Sequence, residues 1–176
     1  MSGSFDPVGE QVTWIADTGL FVACGRRQND KYVALQRFAL RNDVSFVIPR
    51  RVYDELCGAP DRSTPGRTPI DGAVDAGWVT VAAEPDYTNG PVARVMDDTR
   101  SFIASASNRH EDRIEQADAA LAAVAAERLD DGEARFVCIV TTDVDAGEAA
   151  VSALARNGFE DRVRFEDGFQ LIEEIS

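Results

Sequence analysis

The sequence predicts an α/β domain in which a central parallel sheet of four or five strands lies between two layers of helices. Three observations carry this reading. Short apolar, β-branched runs alternate with stretches of helical period along the whole chain. One run, Arg135-Phe136-Val137-Cys138-Ile139-Val140, is almost wholly apolar, as a parallel strand covered on both faces must be. Two runs end on a carboxylate, Asp17 and Asp143, at the strand ends where open α/β sheets place their chemistry.

The first strand is Val12-Thr13-Trp14-Ile15, β-branched or aromatic and too short for a helix. Asp17 follows it, and Thr18 is placed to cap a helix over residues 18–27. A second helix spans 30–41, with Tyr32, Val33, Leu35, Phe38 and Leu40 on its apolar face. Residues 44–48 form the second strand, and Pro49 suits the first position of a helix running to Leu56, with Glu55 near the edge of its apolar stripe. Residues 57–72, punctuated by Gly58, Pro60, Pro65, Gly66 and Pro69, read as an irregular loop. Trp78 to Ala82 is the third strand, and residues 91–107 form a helix. After a polar break comes the strongest helix, Glu111 to Leu129, rich in alanine and stopped by Asp130-Asp131-Gly132. The strand at 135–140 leads to Thr141-Thr142-Asp143 and a helix over 146–157, which Gly158 ends. A short strand at 163–165 and a helix at 168–175 close the chain. The whole reads as one domain, 1–176, with a longer loop and helical insertion around 57–109.

With 176 residues, 44% of them hydrophobic, the chain can bury one sizeable core. No apolar run approaches the ~20 residues of a membrane helix, and the N-terminus lacks the charged and apolar regions of a secretory signal, so a cytoplasmic protein is expected. Cys24, Cys57 and Cys138 show no metal-ligand spacing and read as small buried hydrophobes. The charge is lopsided: 31 acidic against 18 basic residues, a formal net charge of −13, with Lys31 the single lysine. Such an acidic surface suits concentrated salt, where a Debye length of ~3 Å at 1 M removes self-repulsion. A halophilic source is expected, and net charge therefore does not exclude a nucleic-acid substrate.

Four carboxylates then stand out. Asp17 and Asp143 end strands, while Glu55 and Asp118 lie on helices. Asp118 is four residues after Ile114 and three before Leu121, on the core side, where a carboxylate is costly unless paired or metal-bound. Carboxylates converging on one cleft repel unless a divalent cation neutralises them. A donor set of hard oxygens favours Mg²⁺ or Mn²⁺ over zinc and suits phosphoryl chemistry.

Ile15-Ala16-Asp17-Thr18 resembles the opening motif of PIN-domain nucleases. Ile48-Pro49-Arg50-Arg51-Val52-Tyr53-Asp54-Glu55-Leu56 is similar to their second motif. Ala117-Asp118-Ala119-Ala120-Leu121 resembles the third, and Val140-Thr141-Thr142-Asp143 the fourth, in the same order over nearly the whole chain. The resemblance implies a PIN-like three-layer fold and Mg²⁺- or Mn²⁺-dependent hydrolysis of single-stranded RNA. It implies that Asp17, Asp118 and Asp143 hold the metal, that Glu55 completes the catalytic set and that Thr141 assists through its hydroxyl. Thr18 and Asp145 are supporting positions, Asp145 reading more simply as a helix cap, and Glu115 is a further acidic position. Arg50, Arg51, Arg109 and Arg113, with Arg26 and Arg27, are candidates for RNA phosphates, although solvated ion pairs are the simpler role for most. A protein antitoxin is the partner expected of toxin-type members, and homodimers are common in the family resembled.

Competing chemistries lack their residues. The single histidine, His110, has no serine elbow or cysteine to work with, and no glycine loop of the phosphate-cradling kind is present. Receiver-type phosphoaspartate chemistry wants a lysine at a later strand end, and haloacid-dehalogenase chemistry wants an aspartate where Gly19 stands. Three readings remain: a toxin-type ribonuclease, an RNA-processing nuclease outside toxin–antitoxin systems, and a catalytically inactive binding or assembly module on the same fold.

Overall fold

Short runs rich in β-branched and aromatic residues pair into one sheet. In this structure, a computed structural model, residues 12–24, 30–56, 70–107 and 116–176 are described. The strands are β1 (Val12–Ala16), β2 (Phe46–Ile48), β3 (Val79–Val81), β4 (Phe136–Thr141) and β5 (Val163–Asp167). They form a single five-stranded sheet in the order β3-β2-β1-β4-β5, and every neighbouring pair is parallel.

The helices are α1 (Thr18–Cys24), α2 (Asp30–Arg41), α3 (Arg50–Leu56), α4 (Asp71–Ala76), α5 (Gly90–Ser107), α6 (Gln116–Asp130), α7 (Val144–Leu154) and α8 (Gly168–Ile175). They divide between the two faces of the sheet. On one face an aromatic cluster from β1, β2, α1, α2 and the β3 approach packs edge to face, with Trp14 to Phe46 at 5.8 Å, Phe21 to Phe46 at 6.2 Å and Tyr32 to Trp78 at 5.6 Å between ring centroids. On the other face α5, α6 and α7 cover Ile15, Val47, Val137 and Ile139. The alanines of α6 explain its position. Six of the eight residues from Ala119 to Ala126 are alanine, Leu121 and Val124 being the others, so α5, α7 and the sheet all approach it closely.

The topology fixes where a site can form. The chain moves outward from β1 to β2 to β3, then returns to lay β4 on the other side of β1 and continues outward to β5. The carboxyl ends of β1 and β4 therefore flank the switch point, the crevice where open parallel sheets bind ligands.

The boundaries differ from the sequence reading in instructive places. The second strand begins at Phe46, because Val44 and Ser45 lead in from a turn in which Asp43 has φ 54°. Pro49 is one residue short of its expected position: its carbonyl accepts from Tyr53 N at 3.0 Å, and the helix starts at Arg50. The loop expected over 57–72 gives way to helix at Asp71, and residues 57–69 lie outside the described part. Helix α4 ends on Gly77 at φ 88°. The fifth strand runs two residues beyond Phe165, to Asp167. Cys24 and Cys138 are buried free thiols, as small apolar side chains would be, and Cys57 lies outside the described residues. Among the described residues no helix is long and apolar enough to cross a membrane.

Candidate functional site

Asp17 is the first residue beyond β1, held in the sheet by its own N–H, which donates to Val140 O at 3.3 Å. The β1–β4 register pairs Ala16 with Val140, so Asp17 and Thr141 face each other across the switch point. The fully buried Thr141 hydroxyl donates to Asp17 Oδ2 in a short hydrogen bond and accepts from Asp143 N at 3.1 Å. Three residues from two strand ends are thus linked by one hydroxyl.

Each carboxylate also caps a helix. Asp17 Oδ1 accepts from Leu20 N at 3.4 Å, so Asp17 caps α1 and Thr18, also a capping candidate from its sequence, is the first residue of the helix. Asp143 Oδ1 accepts from Ala146 N at 3.1 Å, making Asp143 the N-cap of α7. Asp145, read as the cap, is instead an exposed residue of the first turn of α7. Two positive helix ends therefore point at this edge, and both favour ionised carboxylates.

At Asp17 burial works against this. Desolvation is the largest influence on Asp17 and pushes its carboxyl above the ordinary range, although the bonds from Thr141, Leu20 and Gly19 favour the charged form. The neighbouring charge of Asp143 pushes it the same way as burial. Asp143 itself is exposed.

Close packing keeps the strand ends together. A Cβ on Gly19 would run into Thr142 Oγ1 and lie 3.1 Å from Asp17 Oδ1, and a Cβ on Gly168 would meet Thr142 Cγ2 at 3.0 Å. Thr142 is wedged between two glycines, one from α1 and one from α8. Sequence reading passed over it; the signal available was a glycine directly after an Asp-Thr strand end. It also missed Asp167, which the β4–β5 register places opposite Thr141, where it caps α8 by accepting from Phe169 N at 2.9 Å.

The remaining expected positions divide as follows. Asp118 belongs to the first turn of α6, which packs on β1, β4 and α3, and Glu55 to the second turn of α3. The side chains of Asp118, Glu55 and Thr18 lie outside the described residues, as do Arg26, Arg27, Arg109, His110, Arg113 and Glu115. Arg50 pairs with Asp54 at 3.2 Å on the exposed face of α3, the solvated role expected for most of these arginines. Arg51 Nε donates to Tyr87 Oη at 3.2 Å and lies 3.5 Å from Glu84 Oε2. Among the described residues no group of three or more His, Cys, Asp or Glu side chains is gathered to hold a metal ion.

The donors that are gathered, two carboxylates and a hydroxyl, are all hard oxygens. A buried carboxylate raised by desolvation and by a second carboxylate is the environment a divalent cation relieves, so these residues fit Mg²⁺ or Mn²⁺. The family model described as Halobacterial PIN domain matches residues 10–176. No curated protein matches the chain.

Proposed function

Because the chain belongs to the halobacterial PIN-domain family, whose fold is of nuclease type, we propose that it is a divalent-metal-dependent ribonuclease hydrolysing phosphodiester bonds of single-stranded RNA. The observation that supports this most is the Asp17–Thr141–Asp143 arrangement at the β1–β4 switch point. Asp17 and Asp143, with Asp118 from the start of α6, would hold Mg²⁺ or Mn²⁺, and Glu55 would complete the acidic set. When bound, such an ion supplies an activated water and stabilises charge on the leaving oxygen.

The chain's own part is orientation. The Thr141 hydroxyl has its proton committed to Asp17 and a lone pair committed to Asp143 N, which fixes the spacing of the two strand ends. Oδ1 of Asp143 is held by the α7 N-terminus, and its other oxygen has no partner among the described residues. A carboxylate held in this way reaches its ligand without first losing rotamer freedom. A toxin role with a protein antitoxin is one biological setting for this chemistry, and RNA processing is another; a short reading frame for a small DNA-binding protein next to the gene distinguishes the first.

The test is cleavage of an end-labelled single-stranded RNA in concentrated KCl with Mn²⁺ or Mg²⁺, compared with EDTA and with Asp17→Asn and Asp118→Asn. Metal-dependent cleavage lost by at least a hundredfold in both variants is the expected result. No cleavage, together with Mn²⁺ binding that neither variant weakens, overturns the proposal in favour of an inactive binding module.

A further inference from the structure

A cleft of about 310 Å³ lies between α3 and α5, lined by Arg51, Tyr87, Ala93, Met96, Asp97 and Arg100. In a chain of net charge −13, two guanidinium groups share this one cavity. Their situations differ. Arg51 is already engaged: its Nε bonds Tyr87 Oη, its guanidinium lies 5.7 Å from the centroid of the Tyr87 ring, and Glu84 is its ion-pair partner. Among the described residues Arg100 has none of this. Its Nε is buried and makes no hydrogen bond, and no ion pair to Asp97 forms although both line the cleft.

A guanidinium N–H removed from water without an acceptor costs on the order of 1–3 kcal/mol or more, since the group is charged. A buried donor of this kind calls for an explanation, and an acceptor brought by a ligand is one. The planar fork of arginine matches phosphate oxygens, and the Tyr87 ring and Met96 thioether give an apolar wall beside it. The volume falls at the small end of ligand pockets, suited to one nucleotide unit rather than a large ligand. Arg51 is the second residue of α3, which leaves β2 directly, and β2 is the hydrogen-bonded neighbour of β1. The cleft wall therefore starts from the sheet edge that carries Asp17, one strand away.

We infer that this cleft is a phosphate subsite, with Arg100 as the principal donor and Arg51 as the second, taking a backbone phosphate of single-stranded RNA. Its place on the substrate path rests on the ribonuclease reading above, whereas its affinity for a phosphate group does not. Asp97 and Glu84 lower the local positive charge, which favours a ligand that fits the fork over anions in general.

Two measurements test it on the full chain in EDTA. In the first, anisotropy of labelled single-stranded RNA is followed over a KCl series. Arg100→Gln and Arg51→Gln should each weaken binding about tenfold and flatten the salt slope by roughly 0.7, while Arg135→Gln, at the amino end of β4, changes neither. In the second, the Arg100 Nε–Hε resonance of the unmodified chain is titrated with inorganic phosphate and with adenosine monophosphate, a readout independent of whether a variant folds. Saturable shifts with Arg100-dependent RNA binding support the inference. Shifts without Arg100-dependent RNA binding assign the cleft to a free phosphate ester and overturn its place on the RNA path. A silent resonance with RNA binding indifferent to Arg100 overturns it altogether, and cleavage that persists in that case leaves the ribonuclease reading standing.

Discussion

Asp17 is asked to do two things with one carboxylate. It caps α1 and holds Thr141, which favour the charged form, while burial and the charge of Asp143 oppose it and prevail. Because its folded-state pKa is raised, the folded chain holds this proton more tightly than the unfolded chain, whose value is near the ordinary ~3.9. Stability at this position is therefore highest below that value, falls as pH rises through the raised one, and stays at the lower level above it. Asp17→Asn removes the penalty, and its oxygen can still accept from Leu20 N. In EDTA the variant should be more stable than the parent at pH 7.5, by a margin that narrows as the pH is lowered through the raised value towards the ordinary one. Urea unfolding at constant KCl over a pH series reads the margin. A variant less stable than its parent throughout the series would mean that the carboxylate serves the fold more than a metal.

At the scale of elements, glycines decide how closely helices dock. Gly147 lies within α7, where alanine would ordinarily add up to ~1 kcal/mol of helix stability. Here a Cβ would enter the ring of Phe165 on β5. Gly147→Ala should therefore destabilise by roughly 1–3 kcal/mol, the cost of overpacking, the opposite sign from an open helix. Urea midpoints with an unchanged m-value check this, and a stabilised variant would show that Phe165 has a second rotamer available. The same close approach accounts for what was legible in this stretch. Gly158, with φ 96°, was readable as a helix stop because its backbone conformation is local. Gly147 was not, because its reason is a phenyl ring from a strand that follows later in the chain. Helix α4 was missed on similar grounds. Its six residues, Asp71–Ala76, give too short a period to recognise, and burial of Ala73 with the Gly77 stop holds them in place.

For the molecule as a whole, the acidic surface is the largest unbalanced term. A net charge of −13 on 176 residues repels itself when the Debye length is ~10 Å at 0.1 M salt, and much less when it is ~3 Å at 1 M. The melting temperature should rise steeply between 0.1 and 2 M KCl, by roughly 2–4 °C for each kcal/mol of repulsion relieved in a chain of this size. Scanning calorimetry over that range measures it, with the same rise expected for Asp17→Asn, which changes the charge by one. A melting temperature independent of salt would mean that acidic side chains are already matched by local cations or arginines.

The sequence by itself determined the α/β class, the parallel sheet and the two strand-end aspartates. These follow from local quantities: which residues are β-branched, how apolar positions repeat, and which residue type stands at the end of a run. It also identified Thr141, through its place in a short motif. What it left open was decided by the order of the strands. Only the return of the chain to lay β4 beside β1 brings the Thr141 hydroxyl onto Asp17 and makes one site of two distant motifs. Only the packing of α3 and α5 on α6 brings Arg51 and Arg100, 49 residues apart in the chain, to one cleft, where the buried Arg100 Nε makes no hydrogen bond. Burial, and hence the shifted proton affinity of Asp17, is a property of neighbours that are remote in sequence, and no local pattern encodes which neighbours those will be.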